Sequence, residues 1–195
     1  MDFSNQWFYA GKLNAAEGLE THSLPGAVAD NLLFIDTTGC GFEEKINPKT
    51  LSRYNPDEWI LMTCHLEMLR ESLLEKTWPE ITILSPYREQ VSYIKKAIQA
   101  DPIYAELAID VRTIDGFQGQ ETDVIMVSLV RSNAQNELGF LKDYRRMNVA
   151  MTRAKMQLVV VGDGATIGMD PFYDAFIRHC EATDAWRSAW EYIHP

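Results

Sequence analysis

VRTIDGFQGQETDVIMVSLVRSN, Val111–Asn133, and DYRRMNVAMTRAKMQLVVVGD, Asp143–Asp163, decide the fold. Each holds an unbroken apolar run, Val124–Val130 (VIMVSLV) or Leu158–Val161 (LVVV), with polar and charged residues at its border. Strands covered by helices on both faces read this way, because neither face alternates toward water. Three further runs share the character: Leu32–Ile35, Ile81–Leu84 and Ile109–Ile114. Helical patterns separate the five, which predicts an α/β fold around a mainly parallel sheet.

The helix signals are specific. Asn55-Pro56-Asp57-Glu58 reads as an N-cap, a proline in the first helical position and an acid closing a capping box. That helix is expected to run to about Lys76. Ser85-Pro86 repeats the device and predicts a helix to about Gln99. Further helices are expected over Tyr144–Ala154 and Pro171–Ala182, and a short terminal one around Trp186 and Trp190. Residues 1–30 show no strong period and read as an extended lead-in or a piece of a neighbouring domain. The expected division is therefore a lead-in over 1–30, the main domain over 31–182 and a helical tail over 183–195.

Composition narrows the function. With 195 residues, 46% hydrophobic and 24% charged, the chain is long enough for one core and ordinary for a globular domain. No apolar run is long enough to span a bilayer, and no secretory leader is evident, so no membrane partner and an intracellular (cytoplasmic or nuclear) setting are expected. Three cysteines, Cys40, Cys64 and Cys180, lie far apart and read as idle thiols; no metal site is expected. The net charge is −10, yet Lys142–Lys155 holds five bases and one acid. Any anion site is local, and the acidic remainder weakens non-specific attraction to phosphate backbones.

A phosphate loop, G-x-x-x-x-G-K-[ST], is absent; the only Gly-Lys pair is Gly11-Lys12, followed by Leu13. The chain alone is therefore not expected to hydrolyse ATP. TIDGFQGQE, Thr113–Glu121, leaves one strand and enters the next through Gly116 and Gly119. It offers the hydroxyl of Thr113, the carboxylates of Asp115 and Glu121 and the amide of Gln118. Composition alone favours an ordinary turn here, with a ligand loop at a strand's carboxyl end as the second reading. Arg146 and Arg153 lie seven apart on the Tyr144–Ala154 helix, about 10 Å at ~1.5 Å per residue. They read either as solvated bases, Arg153 favouring the helix C-terminus, or as guanidinium donors to a phosphoryl group. Ser85 is explained as helix-start chemistry; Tyr87, Arg88 and Gln90 face a ligand cleft or cover the sheet edge.

In order, these segments resemble the second RecA-like domain of superfamily 1 helicases, closest to the 1B branch with the nonsense-mediated-decay type. WFYAGKL (Trp7–Leu13), FIDTTG (Phe34–Gly39), SRYNPDE (Ser52–Glu58), SPYREQ (Ser85–Gln90), TIDGFQGQETDVI (Thr113–Ile125) and RRMNVAMTRAK (Arg145–Lys155) carry the resemblance. Motif VI in that family often has leucine where Met147 and Met151 stand.

The resemblance implies a three-layer RecA-like domain, a P-loop NTPase-type fold without the phosphate loop, on a five- or six-stranded sheet. It implies that Arg153 is an arginine finger for ATP held by a first RecA-like domain of the same parent protein, with Mg2+ shared there. Gln118, Gly119, Glu121, Arg88 and Arg146 are expected at the nucleotide, with Arg146 supporting the finger. Thr113, Asp115, Ser85 and Tyr87 are expected at single-stranded DNA or RNA. The parent is expected to carry its phosphate loop upstream, and 5′-to-3′ movement is implied. Two rivals remain: a free-standing, non-catalytic interaction module, and a flavodoxin-like nucleotide binder using Asp36–Gly41 (DTTGCG).

Overall fold

Each of the five apolar runs forms a strand, and the alternation along each strand divides the core in two. The computed structural model describes residues 2–12, 24, 30–73 and 77–193. In chain order the elements are α1 (Asp2–Tyr9), β1 (Leu32–Asp36), β2 (Lys45–Ile46), β3 (Arg53–Tyr54), α2 (Pro56–Leu73), β4 (Ile81–Ser85), α3 (Arg88–Ala100), α4 (Pro102–Ala105) and β5 (Ile109–Thr113). A 3-10 turn at Asp115–Phe117 leads to β6 (Thr122–Ser128), and another at Gly139–Lys142 leads to α5 (Tyr144–Met151). Then come β7 (Ala154–Gly162), α6 (Gly164–Ile167), α7 (Pro171–Ala182), β8 (Trp186–Ser188) and α8 (Trp190–Ile193).

Six strands form one parallel sheet in the order β5-β4-β6-β7-β1-β8. The order explains the three layers. From β1 through β4 to β5 the chain moves in one direction and places α2 and α3 on one face. From β5 through β6 and β7 to β8 it moves back, and the 3-10 turn, α5 and α7 cover the other face. Right-handed crossovers require this reversal of face with reversal of direction. Phe34, Ile125, Val127 and Val160 pack under Met147, Phe172 and Phe176. Their neighbours Ile35, Val124, Met126, Val159 and Val161 pack under Trp59, Met62, Leu66 and Ile94.

Several local expectations change. Asn55 caps α2 through Oδ1, which accepts from Asp57 N at 3.2 Å, but Glu58 closes no capping box. Its carboxyl is buried and accepts from Val130 N at 2.9 Å and from Ser128 Oγ. The expected end of α2 near Lys76 lies outside the described residues. α3 starts at Arg88, because Ser85 completes β4 and its Oγ accepts from Tyr87 N at 3.3 Å. α5 stops at Met151: Thr152 N and Oγ1 both donate back to Asn148 O, and the chain straightens into β7.

The ends of the chain differ as well. Trp186–Ser188, expected as part of a helical tail, is a sixth strand on β1, and only α8 beyond it is helical. Nor is the lead-in simply extended. Asp2–Tyr9 is helical, with Phe3 stacked edge-on against Phe172 and Phe176 of α7. Most of the remaining lead-in lies outside the described residues.

Candidate nucleotide and nucleic-acid site

A parallel sheet has an amino rim and a carboxyl rim, here roughly 15–20 Å apart at ~3.3 Å per residue. The candidate residues divide between them. TIDGFQGQE does not stay at a carboxyl edge: it starts there at Thr113, crosses β4 over the face of the sheet and ends at the amino rim with Glu121. Ile114 and Phe117 are the buried anchors of this crossing. Gly119 completes it with φ +83°, a left-handed conformation that glycine adopts without strain.

At the amino rim Glu121 precedes β6 and Arg153 precedes β7, and these strands are paired. Arg153 O accepts from Thr122 N at 3.2 Å, so its backbone is held by the sheet. Its Nη1 lies 3.2 Å from Glu121 Oε1, with the two side chains 36% and 56% exposed. Arg153 Nε is itself enclosed and has no hydrogen-bond partner among the described residues. Gln118 and Gly119 are exposed on the approaching loop. An exposed ion pair of this kind contributes ~0–1 kcal/mol, so a multiply charged anion competes readily with Glu121 for the guanidinium. Arg153 thus sits in the connector after α5, not in that helix's last turn, and its neighbour is Glu121, not Arg146.

Arg146 belongs to the other rim. It lies in the first turn of α5, where Nε contacts Asp115 Oδ1 at 2.9 Å and Asp143 Oδ2 at 3.2 Å. Arg88 opens α3 just after β4, also at the carboxyl rim, exposed and without a partner among the described residues. The structure therefore does not join Arg146 or Arg88 to the Arg153–Glu121 pair. Thr113 and Asp115 do share the carboxyl rim, and Thr113 Oγ1 accepts from Gly116 N at 3.3 Å. Ser85 and Tyr87 reach this rim from beneath: they are 1% and 2% exposed, too deeply buried for a strand to touch. Gln90 faces no cleft either; it is buried, donating to Asn55 O and Ser128 Oγ, both at 2.9 Å.

Residues that sequence patterns did not single out hold this rim together. Arg131 is 1% exposed, and its Nε donates to Glu44 Oε2 at 2.8 Å. Glu44 also takes Arg53 Nε at 2.6 Å and Ser132 N at 3.0 Å. The available signal was a charged residue directly following VIMVSLV.

Asp36–Gly41 is not a phosphate cradle. Asp36 Oδ1 accepts from Thr38 N at 2.9 Å and Gly164 N at 2.8 Å, so a carboxylate already fills the place an anion would take. The adjoining cleft of about 510 Å³ is lined by Glu43, Glu44 and Asp163, which repel phosphate.

The model of a family described as "AAA domain" matches residues 1–165. Over 178 residues, 84% of this chain, it is 40% identical to the DNA polymerase alpha-associated DNA helicase A of Saccharomyces cerevisiae, covering 26% of that protein. The chain is a superfamily 1 helicase domain. It is also 32% identical over 98% of its length to the DNA-binding protein SMUBP-2 of Rattus norvegicus, covering 20% of it. An uncharacterized ATP-dependent helicase of Methanocaldococcus jannaschii is 31% identical over 94% of the chain, which covers 28% of that protein. This helicase domain thus spans between 20% and 28% of the length of those relatives. Among the described residues, no helix is long and apolar enough to cross a membrane.

Proposed function

We propose that this domain is the second motor half of an ATP-dependent helicase. Its amino rim meets a nucleotide presented by another domain, and its carboxyl rim meets a single strand of DNA or RNA. The observation that carries the reading is the state of Arg153. Its backbone is fixed by the β6–β7 ladder, while its side chain is 36% exposed and, among the described residues, held by one ion pair with Nε–H unpaired. A planar, permanently charged donor on a rigid base suits the spreading charge of a transferring phosphoryl group. A module used only for protein contacts has no use for that arrangement.

ATP is substrate here. The residues at the amino rim fit half of a triphosphate site: Arg153 for the γ-phosphate, with Gln118, Gly119 and Glu121 on the loop beside it. They do not by themselves fit Mg2+, since no three His, Cys, Asp or Glu side chains converge among the described residues. When another domain offers ATP, Arg153 exchanges Glu121 for the γ-phosphate and so favours the closed arrangement of the two halves. After hydrolysis the contact is lost, and the pair with Glu121 re-forms. Differential contact of this kind is what lets a ligand shift a two-state equilibrium.

The test is strand-stimulated ATP turnover of the full-length protein carrying this domain, with Arg153→Ala. Turnover is expected to fall by about 10³ or more, the usual worth of an arginine finger, with a modest change in KM for ATP. Unchanged turnover removes Arg153 from the nucleotide site and the proposal with it.

A further inference from the structure

The carboxyl rim carries an exposed aromatic ring that the fold holds rigidly from below. Phe140 is 56% exposed, although Leu138 and Leu141 on either side are buried. Its ring lies 5.3 Å, centroid to centroid, from that of buried Tyr87, and its backbone N donates to Tyr87 Oη at 3.4 Å. Tyr87 Oη also receives Arg131 Nη1 and donates to Leu138 O, both at 3.5 Å. Gly139 has φ +55°, and a Cβ there would meet Arg131 Nη1 at 2.3 Å and Tyr87 Oη at 2.7 Å. A buried arginine, a buried tyrosine and a positive-φ glycine thus fix the base of a ring whose own outer face touches nothing in the core.

The surroundings are cationic. Phe140 borders a cleft of about 820 Å³ with Phe8, Lys142, Tyr144, Arg145 and Arg146. Arg146 is shared between Asp115 and Asp143, and through Asp115 it joins this cleft to the Thr113 loop. Lys142 and Arg145 are exposed and have no partner among the described residues. An aromatic face that shares a cleft with two exposed cations suits a stacked base and its flanking phosphates. We infer that Phe140 is a stacking platform for one base of the single strand, with Lys142 and Arg145 on its backbone. This rests on the proposed strand-binding role of the carboxyl rim and adds a subsite to it.

The experiment measures fluorescence anisotropy of a labelled short oligothymidylate, and of the same backbone without bases, on this 195-residue chain at low salt. The wild type is expected to prefer the base-bearing strand on the order of tenfold. Phe140→Ala is expected to lose that preference and Phe140→Trp to keep it. Lys142→Ala with Arg145→Ala is expected to weaken both oligonucleotides alike and lower the salt slope by about 1.4. In a parallel arm, a 4-thiothymidine strand is expected to photocrosslink to the peptide containing Phe140, a readout independent of any variant's folding. If Phe140→Ala discriminates as the wild type does, or the crosslink maps elsewhere, the platform is wrong while strand binding stands. If the wild type binds neither oligonucleotide, the strand-binding reading fails and this inference with it.

Discussion

Arg153 shows how little of a candidate residue's setting is written in the helix that precedes it. The M-x-x-A-M-x-x-A spacing continues the apolar face past Met151, so the sequence alone extends the helix to Ala154. Thr152 ends it instead, by bonding back to Asn148 O. Ser85 and Tyr87 look like surface chemistry for a related reason. Tyr87 Oη is satisfied by Leu138 and Arg131, and the Ser85 carbonyl accepts from Ile114 N at 3.2 Å; no local pattern reveals such distant partners. Glu58 is the sharpest case. Burial pushes its carboxyl up from 4.5 to about 8, outweighing the bonds from Ser128 and Val130, and Asp163 and Glu44 add to the rise. In the folded chain it keeps its proton up to about pH 8, while the unfolded chain releases it near 4.5. The stability it confers is thus complete below that lower value and drains away as pH rises toward 8. Thermal melts at pH 5 and pH 8 are expected to show a smaller loss of Tm in Glu58→Gln than in the wild type. Parallel profiles would mean that this carboxyl is not held neutral.

At the level of elements, the five predicted strands appear where the apolar runs lie because those runs are buried on both faces and tolerate no polar interruption. β8 escapes such a reading: Trp186-Arg187-Ser188 is half buried and has no apolar run to announce it. Its contribution is in backbone pairing. Phe34 N donates to Ala185 O at 2.7 Å and Ala189 N to Asp36 O at 2.8 Å, so β8 covers what would otherwise be the open edge of β1. Trp186 Nε1 also reaches Asp36 Oδ2 at 3.2 Å. Removing residues 183–195 uncovers a flat apolar edge, which invites strand addition between molecules. The truncated chain is expected to melt earlier and to elute partly as aggregate in size-exclusion chromatography. An unchanged melting temperature with a monomeric profile would show that β8 is dispensable.

For the whole molecule, the decisive feature is the separation of the two rims. TIDGFQGQE reads in sequence as one compact loop, yet it spans the thickness of the sheet. It leaves Thr113 on the carboxyl side and Glu121 on the amino side, beside Arg153. A short crossover suffices because it passes over a single strand, β4, with Phe117 as its anchor. The motif therefore connects the two proposed sites through one continuous segment, Thr113–Glu121. Candidate residues were legible as types and in order, but their division between rims required the strand order, which no local pattern contains. The net charge of −10 confines any attraction for phosphate to local clusters of cations.

The most direct test of Arg153 as a group that meets transition-state charge is binding of ADP with aluminium fluoride to the full-length protein. Arg153→Ala is expected to weaken that complex by about 10³ while leaving ADP alone unaffected. Equal affinity of wild type and variant for the aluminium fluoride complex would contradict the account.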